Sequence, residues 1–153
     1  MTRHEIPLDA VAILRALAEH EVDYVVIGGL AVQAHGHTRT TQDLDLVPAP
    51  MASNLERLHA ALEALNARPL GASAPQPITL PAHGALELDT DAGGVDVHLD
   101  PPGAAPYAAL RSRALVLQLE AEVRVAGRDD LIAMKRASGR PVDRGDILAL
   151  TDT

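Results

Sequence analysis

The sequence predicts a mixed α/β (α+β) fold, and three observations predict it. Segments whose apolar residues recur at helical spacing are interleaved with short runs that are continuously apolar or alternate with period two. The 153 residues suffice for one core, and no internal repeat or low-complexity linker divides them, so 1–153 reads as a single domain. Apolar residues make up 47% of the chain, with no Phe or Trp and two Tyr, so the core is built from Leu, Val, Ile and Ala.

Taken in order, Leu8, Val11, Leu14 and Leu17 are spaced as one helix face over 8–18, and Tyr24-Val25-Val26-Ile27 then reads as a buried strand. Gly28-Gly29 ends that strand, and a short helix over 30–35 closes at Gly36. The run 42–47 alternates polar and apolar residues as a half-buried strand, stopped by Pro48 and Pro50. Ser53 and Glu56 have capping-box spacing, and Leu55, Leu58, Leu62 and Leu65 carry the helix that follows. The Pro- and Gly-rich stretch 69–81 offers only a strand at 78–80. Two alternating runs, 86–89 and 95–99, flank Asp91-Ala92-Gly93-Gly94 as a hairpin, after which Pro101-Pro102-Gly103 breaks the chain. Residues 115–125 read as a strand pair or extended segment. Residues 128–138 form a helix with Asp129 and Asp130 in its first turn, ended by Gly139 and Pro141, and a last helix runs over about 143–150.

Composition narrows the function. A formal charge of −8 and a pI near 5.2 lack the basic footprint of a dedicated nucleic-acid binder, and so few aromatics provide no base-stacking platform. Without cysteine there is no disulfide, thiolate metal site or Cys nucleophile. No apolar stretch approaches the roughly 20 residues of a membrane span, and MTRHEIPLDAV lacks a secretory apolar run. A soluble cytoplasmic protein with no membrane partner is the expectation.

The chemistry centres on Asp43-Leu44-Asp45. Residues two apart on a strand share a face, so the two carboxylates project together while Leu44 and Leu46 point into the core. Hard cations such as Mg²⁺ take oxygen ligands, and a carboxylate pair can hold one ion or help bridge two, as phosphoryl and nucleotidyl transfer require. Gly28-Gly29 ahead of a helix would let a phosphate approach backbone N–H groups. Arg39 could clamp a phosphate, and Thr41 could orient a ligand. Against this stands a plainer reading, in which Asp43 and Asp45 are solvated residues on an edge strand. His35 and His37 lie near a helix end without further ligands, which argues against zinc, and His98 would share a strand face with Asp96 and border the site.

The segment VVIGGLAVQAHGHTRTTQDLDLV resembles the signature of the minimal nucleotidyltransferases of the polymerase-β-like superfamily, in particular the AbiEii-type toxin group. That resemblance implies a nucleotidyltransferase-like mixed sheet flanked by helices. It also implies a third carboxylate on a later strand, which Asp96 within Val95-Asp96-Val97 fits better than Asp89 or Asp100. The C-terminal DLIAMKRASGRPVDRGDILAL is similar to the family's end, where a helix lysine and a later aspartate complete the site. By position these are Lys135 and Asp146, with Asp143 as the other match, and Lys135 is the only lysine among thirteen basic residues. Without the resemblance, Lys135 reads as a solvated helix residue paired near Asp130.

The implied activity is Mg²⁺-dependent transfer of a nucleoside monophosphate from a nucleoside triphosphate to a hydroxyl of RNA such as tRNA, of a protein or of a small molecule. An antitoxin partner is implied as well. At this length, the separate acceptor-binding domain of larger relatives is not expected, and an RNA surface would need Arg111, Arg113, Arg136, Arg140 and Arg144 to cluster. The competing reading is a catalytically weak nucleotide-binding or protein-interaction module of the same fold.

Overall fold

The structure is a computed structural model and describes residues 6–151. Helix α1 (Ala10–Glu19) begins at Asp9, whose side chain accepts the Ala12 N–H at 3.1 Å, and leads into β1 (Tyr24–Ile27). Then follow α2 (Gly28–Ala34), β2 (Asp43–Pro48), α3 (Ala52–Ala64), β3 (Arg68–Pro69), β4 (Ala85–Thr90) and β5 (Gly93–His98). The chain ends with α4 (Tyr107–Ser112), β6 (Leu115–Leu119), β7 (Ala121–Val125), α5 (Arg128–Ser138) and α6 (Pro141–Thr151).

All strands of the described residues join one mixed sheet in the order β3-β4-β5-β2-β1-β7-β6, flanked by the helices, so the predicted α/β class holds. At its centre β2 pairs antiparallel with β1 and parallel with β5. These inner strands are almost fully buried, with Val25, Val26, Leu44, Leu46, Val95 and Val97 at or below 1% exposure. Helix α1 packs on α3 and β7, and α5 packs on α6 and α2. No helix of the described residues is long and apolar enough to cross a membrane.

Several local expectations need correction. Helix α2 begins at Gly28 itself, because a positive φ of 72° at that residue turns the strand directly into the helix. The capping box does not form: α3 starts one residue ahead of Ser53, with Met51 as N-cap and no side-chain cap bond. That helix is anchored instead by the fully buried Asn54, which accepts from Asp23 N–H at 2.7 Å and donates to the carbonyls of Asp23 and Ala49. Residues 78–80 are not a strand. Prolines flank them, and the Ile78 carbonyl is held by the His59 ring at 2.9 Å.

The β4–β5 hairpin turns on Asp91-Ala92 alone, closed by buried Thr90, whose hydroxyl donates to the Gly93 carbonyl and accepts the Ala92 N–H. Residues 115–125 are a true hairpin, β6–β7, reversing at Glu120 with φ 62°. Helix α4 had no sequence signal of its own. Helix α6 starts at Pro141, two residues before the expected start, where proline's missing N–H costs nothing.

Candidate active site

The site grows from the register of two strands, β2 and β5. Alternation along β2 sends Asp43 and Asp45 to one face, and the parallel pairing of β2 with β5 sets Asp96 directly beside Asp45. A carboxylate oxygen from each of Asp43, Asp45 and Asp96 lies within 4.8 Å of the others. Asp96 is 8% exposed, and its pKa is pushed up to about 10, first by burial, then by a hydrogen bond shared with Asp43 and by the charges of Asp43, Asp45 and Glu87. Three carboxylates this close cannot all ionise without positive charge among them. An all-oxygen, acidic donor set of this kind fits Mg²⁺ or a similar hard cation, with Asp43, Asp45 and Asp96 as its ligands.

Neighbouring groups hold the triad in place. The His98 ring Nε2 lies 2.9 Å from Asp45 Oδ1, and the Thr41 hydroxyl donates to the Asp43 carbonyl at 3.0 Å. The glycine pair serves these side chains. A Cβ on Gly28 would fall on the Asp45 carboxylate, and one on Gly29 would fall on the Arg39 guanidinium and meet the Thr41 hydroxyl. Gln33 donates its amide to the Arg39 carbonyl, which fixes the loop between α2 and β2.

A second, buried charge cluster faces the triad across the cleft. Lys135 on α5 is 5% exposed, and its Nζ lies 2.9 Å from Asp146 Oδ2 and 3.6 Å from Asp143 Oδ1, both on α6. Arg39 Nε sits 3.0 Å from Asp146 Oδ1 in a charge contact that lacks hydrogen-bond alignment. Arg140 grips Asp143 with two side-chain N–H groups, at 3.0 and 3.2 Å. Burial raises the pKa of Asp143, but hydrogen bonds from Arg140 and Ser138 together with the charges of Arg140 and Lys135 outweigh it, leaving the group below the usual carboxylate range. Both C-terminal aspartates therefore face Lys135, Asp146 at the shorter distance and in contact with Arg39 as well. Lys135 does not pair with Asp130, which is taken by Arg113 at 2.7 and 3.0 Å.

Triad, glycine pair, Arg39, Thr41 and Lys135 line one cleft of about 550 Å³, with Pro101 and Pro102 also in its lining. Asp146 stands just behind it. Asp89 and Asp100 are outside the triad: Asp89 accepts from Gly71 N–H at 3.3 Å and Asp100 from Gly84 N–H at 2.6 Å. Two charged residues of the lining, Arg140 and Glu87, are not among those the sequence singles out for the site. Arg140 follows the helix-ending Gly139 and was visible only as one basic residue of a scattered set. Glu87 lies opposite Asp96, whereas a four-residue turn would have set it opposite His98.

No protein-family model matches the chain, and no curated protein sequence matches it. Solved structures do. The lincosamide antibiotic adenylyltransferase LnuA, bound to lincomycin, superposes with a TM-score of 0.65 at 15% identity, over 95% of this chain and 98% of that one. ANT(2")-Ia in complex with adenylyl-2"-tobramycin gives 0.61 at 17% identity, over 92% and 84%. A Thermotoga maritima protein provisionally named a nucleotidyltransferase gives 0.57 at 15% identity, over 95% and 94%. At such identities the likeness establishes the fold, which is that of nucleotidyltransferases.

Proposed function

We propose that this chain, acting as one domain in the cytoplasm, is a Mg²⁺-dependent nucleotidyltransferase that moves a nucleoside monophosphate from a nucleoside triphosphate to an acceptor hydroxyl. The observation that carries the reading is the carboxylate triad of Asp43, Asp45 and Asp96, assembled from two parallel strands at the floor of a cleft. When bound there, Mg²⁺ would supply charge neutralisation and Lewis acidity at the triphosphate.

The remaining work falls to the chain's own groups. Arg39, Lys135 and Arg140 carry three positive charges against the two of Asp143 and Asp146, which leaves a net cation for phosphate oxygens. Attack by the acceptor oxygen forms a new bond to the α-phosphorus and expels pyrophosphate. Asp96, beside Asp45 and within 4.8 Å of the Asp43 carboxylate, would orient that attack. His98 holds Asp45 in position.

The acceptor we favour is a small hydroxylated molecule. The support for it is LnuA, a lincosamide antibiotic adenylyltransferase bound to lincomycin, which superposes over 98% of its chain. An AbiEii-type toxin acting on tRNA or a protein, held by an antitoxin, is the reading drawn from sequence resemblance. Arg113, committed to Asp130, is less available for the RNA surface it would need.

Calorimetric titration with each nucleoside triphosphate, with and without Mg²⁺, tests the site. We expect metal-dependent binding that Asp43→Ala/Asp45→Ala abolishes, and pyrophosphate release once an acceptor panel of aminoglycosides, lincosamides and tRNA is added. Binding without release across the panel would support a nucleotide-binding module, and no binding to any triphosphate would overturn the proposal.

A further inference from the structure

The two edges of the sheet are built in opposite ways. At one edge β3 is two residues long and consists of Arg68 and Pro69, a charge and a residue without an N–H, which discourage further pairing. At the other edge β6 reads Leu115-Val116-Leu117-Gln118-Leu119, with no charge, no proline and no bulge. Its ladder is satisfied on one side by β7, and no described strand lies on the other. Leu115, Val116 and Leu119 are 40%, 46% and 47% exposed, so the strand shows apolar side chains on both faces as well as an open row of backbone groups.

From this we infer that β6 is a self-association edge, and that its occupant is the β6 of a second copy, paired antiparallel about a two-fold axis through Leu117. The sequence of the strand is nearly symmetric about that residue. Antiparallel pairing centred there sets Leu115 against the partner's Leu119, Val116 against its Gln118, and Leu117 against itself.

Charge favours this occupant. Each chain carries −8, yet the seam itself is uncharged, so like charges do not meet on it. Arg113 and Glu120, at the two ends of the seam, are each about half exposed and already paired within the chain, with Asp130 at 2.7 Å and with Arg15 at 3.2 Å, so neither sets an unbalanced charge against the second copy. In the sheet, β6 stands three strands from β2, so the cleft stays open in the dimer and the inference is independent of the proposed function.

The absence of native cysteine gives a clean test. Residue 117 should crosslink to itself across the axis, so Leu117→Cys in the full chain should form a disulfide-linked dimer under mild oxidation. Val116→Cys, set off the axis, and Ser53→Cys, exposed on α3, should not. Sedimentation of the unmodified protein should give twice the mass of the Val116→Lys/Leu119→Lys variant, whose far-UV spectrum and unfolding midpoint serve to confirm that it is folded. A monomeric mass for the unmodified protein, or crosslinking at 117 no better than at 116 and 53, would overturn the inference. Equal dimer mass in the folded lysine variant would likewise reject β6 as the interface.

Discussion

At the residue scale the site is defined by charges that the fold forces together. The folded chain keeps a proton on Asp96 that the unfolded chain gives up near pH 4, so the metal-free protein loses stability as pH rises from there towards about 10. Asp96→Asn removes that titration. In chelator, the variant should unfold at a higher temperature than the parent on the alkaline side, with a flatter pH dependence, as thermal melts across pH would show. Lys135 poses the opposite case. It is the shared counter-ion of buried Asp143 and Asp146, and Lys135→Met should cost about 3–5 kcal/mol in denaturant unfolding, because two carboxylates are left buried with less compensation. Adding Asp146→Asn should recover part of that loss. The type and spacing of these residues were legible in the sequence, but their partners were not. Nothing in a linear pattern distinguishes a lysine pointing at Asp130 within its own helix from one pointing at the next helix.

At the element scale, periodicity revealed most helices and strands, and the errors came where tertiary contacts decide. Ser53 and Glu56 have the spacing of a cap, yet the buried hydrogen bonds of Asn54 set where α3 begins, and the cap is bypassed. Ser53→Ala should therefore change stability by less than about 0.5 kcal/mol, as exposed substitutions do, where loss of a working cap would cost about 1. Gly28→Ala should be far worse. Its positive φ alone costs an alanine about 1–2 kcal/mol, and the new Cβ displaces the Asp45 carboxylate, so both the melting temperature and Mg²⁺ affinity should fall. The hairpin shows how a small miscount spreads: a turn of two residues instead of four changes the partner of Asp96 from Asp89 to Glu87, and only the paired strands reveal it.

At the scale of the whole molecule, the α/β class and the central glycine–aspartate segment could be read from the chain because they are local in sequence. The order of the strands could not, since β5 inserts beside β2 and β7 beside β1 through pairings between distant segments. Short β3 and helix α4 gave no periodic signal to detect. The global consequence of the triad is ligand linkage. Mg²⁺ at about 100 times its dissociation constant should add about 2.7 kcal/mol to unfolding free energy, read as a rise in melting temperature that Asp43→Asn/Asp45→Asn lacks. The parallel pairing of β2 with β5 carries a temporal consequence too. Its two strands are separated by α3, β3 and β4, so the contact that brings Asp96 to Asp45 closes a long loop and belongs among the slow steps of folding. Partly folded chains therefore lack the binding centre, and during refolding the capacity to bind metal should appear only with the last phase of native structure.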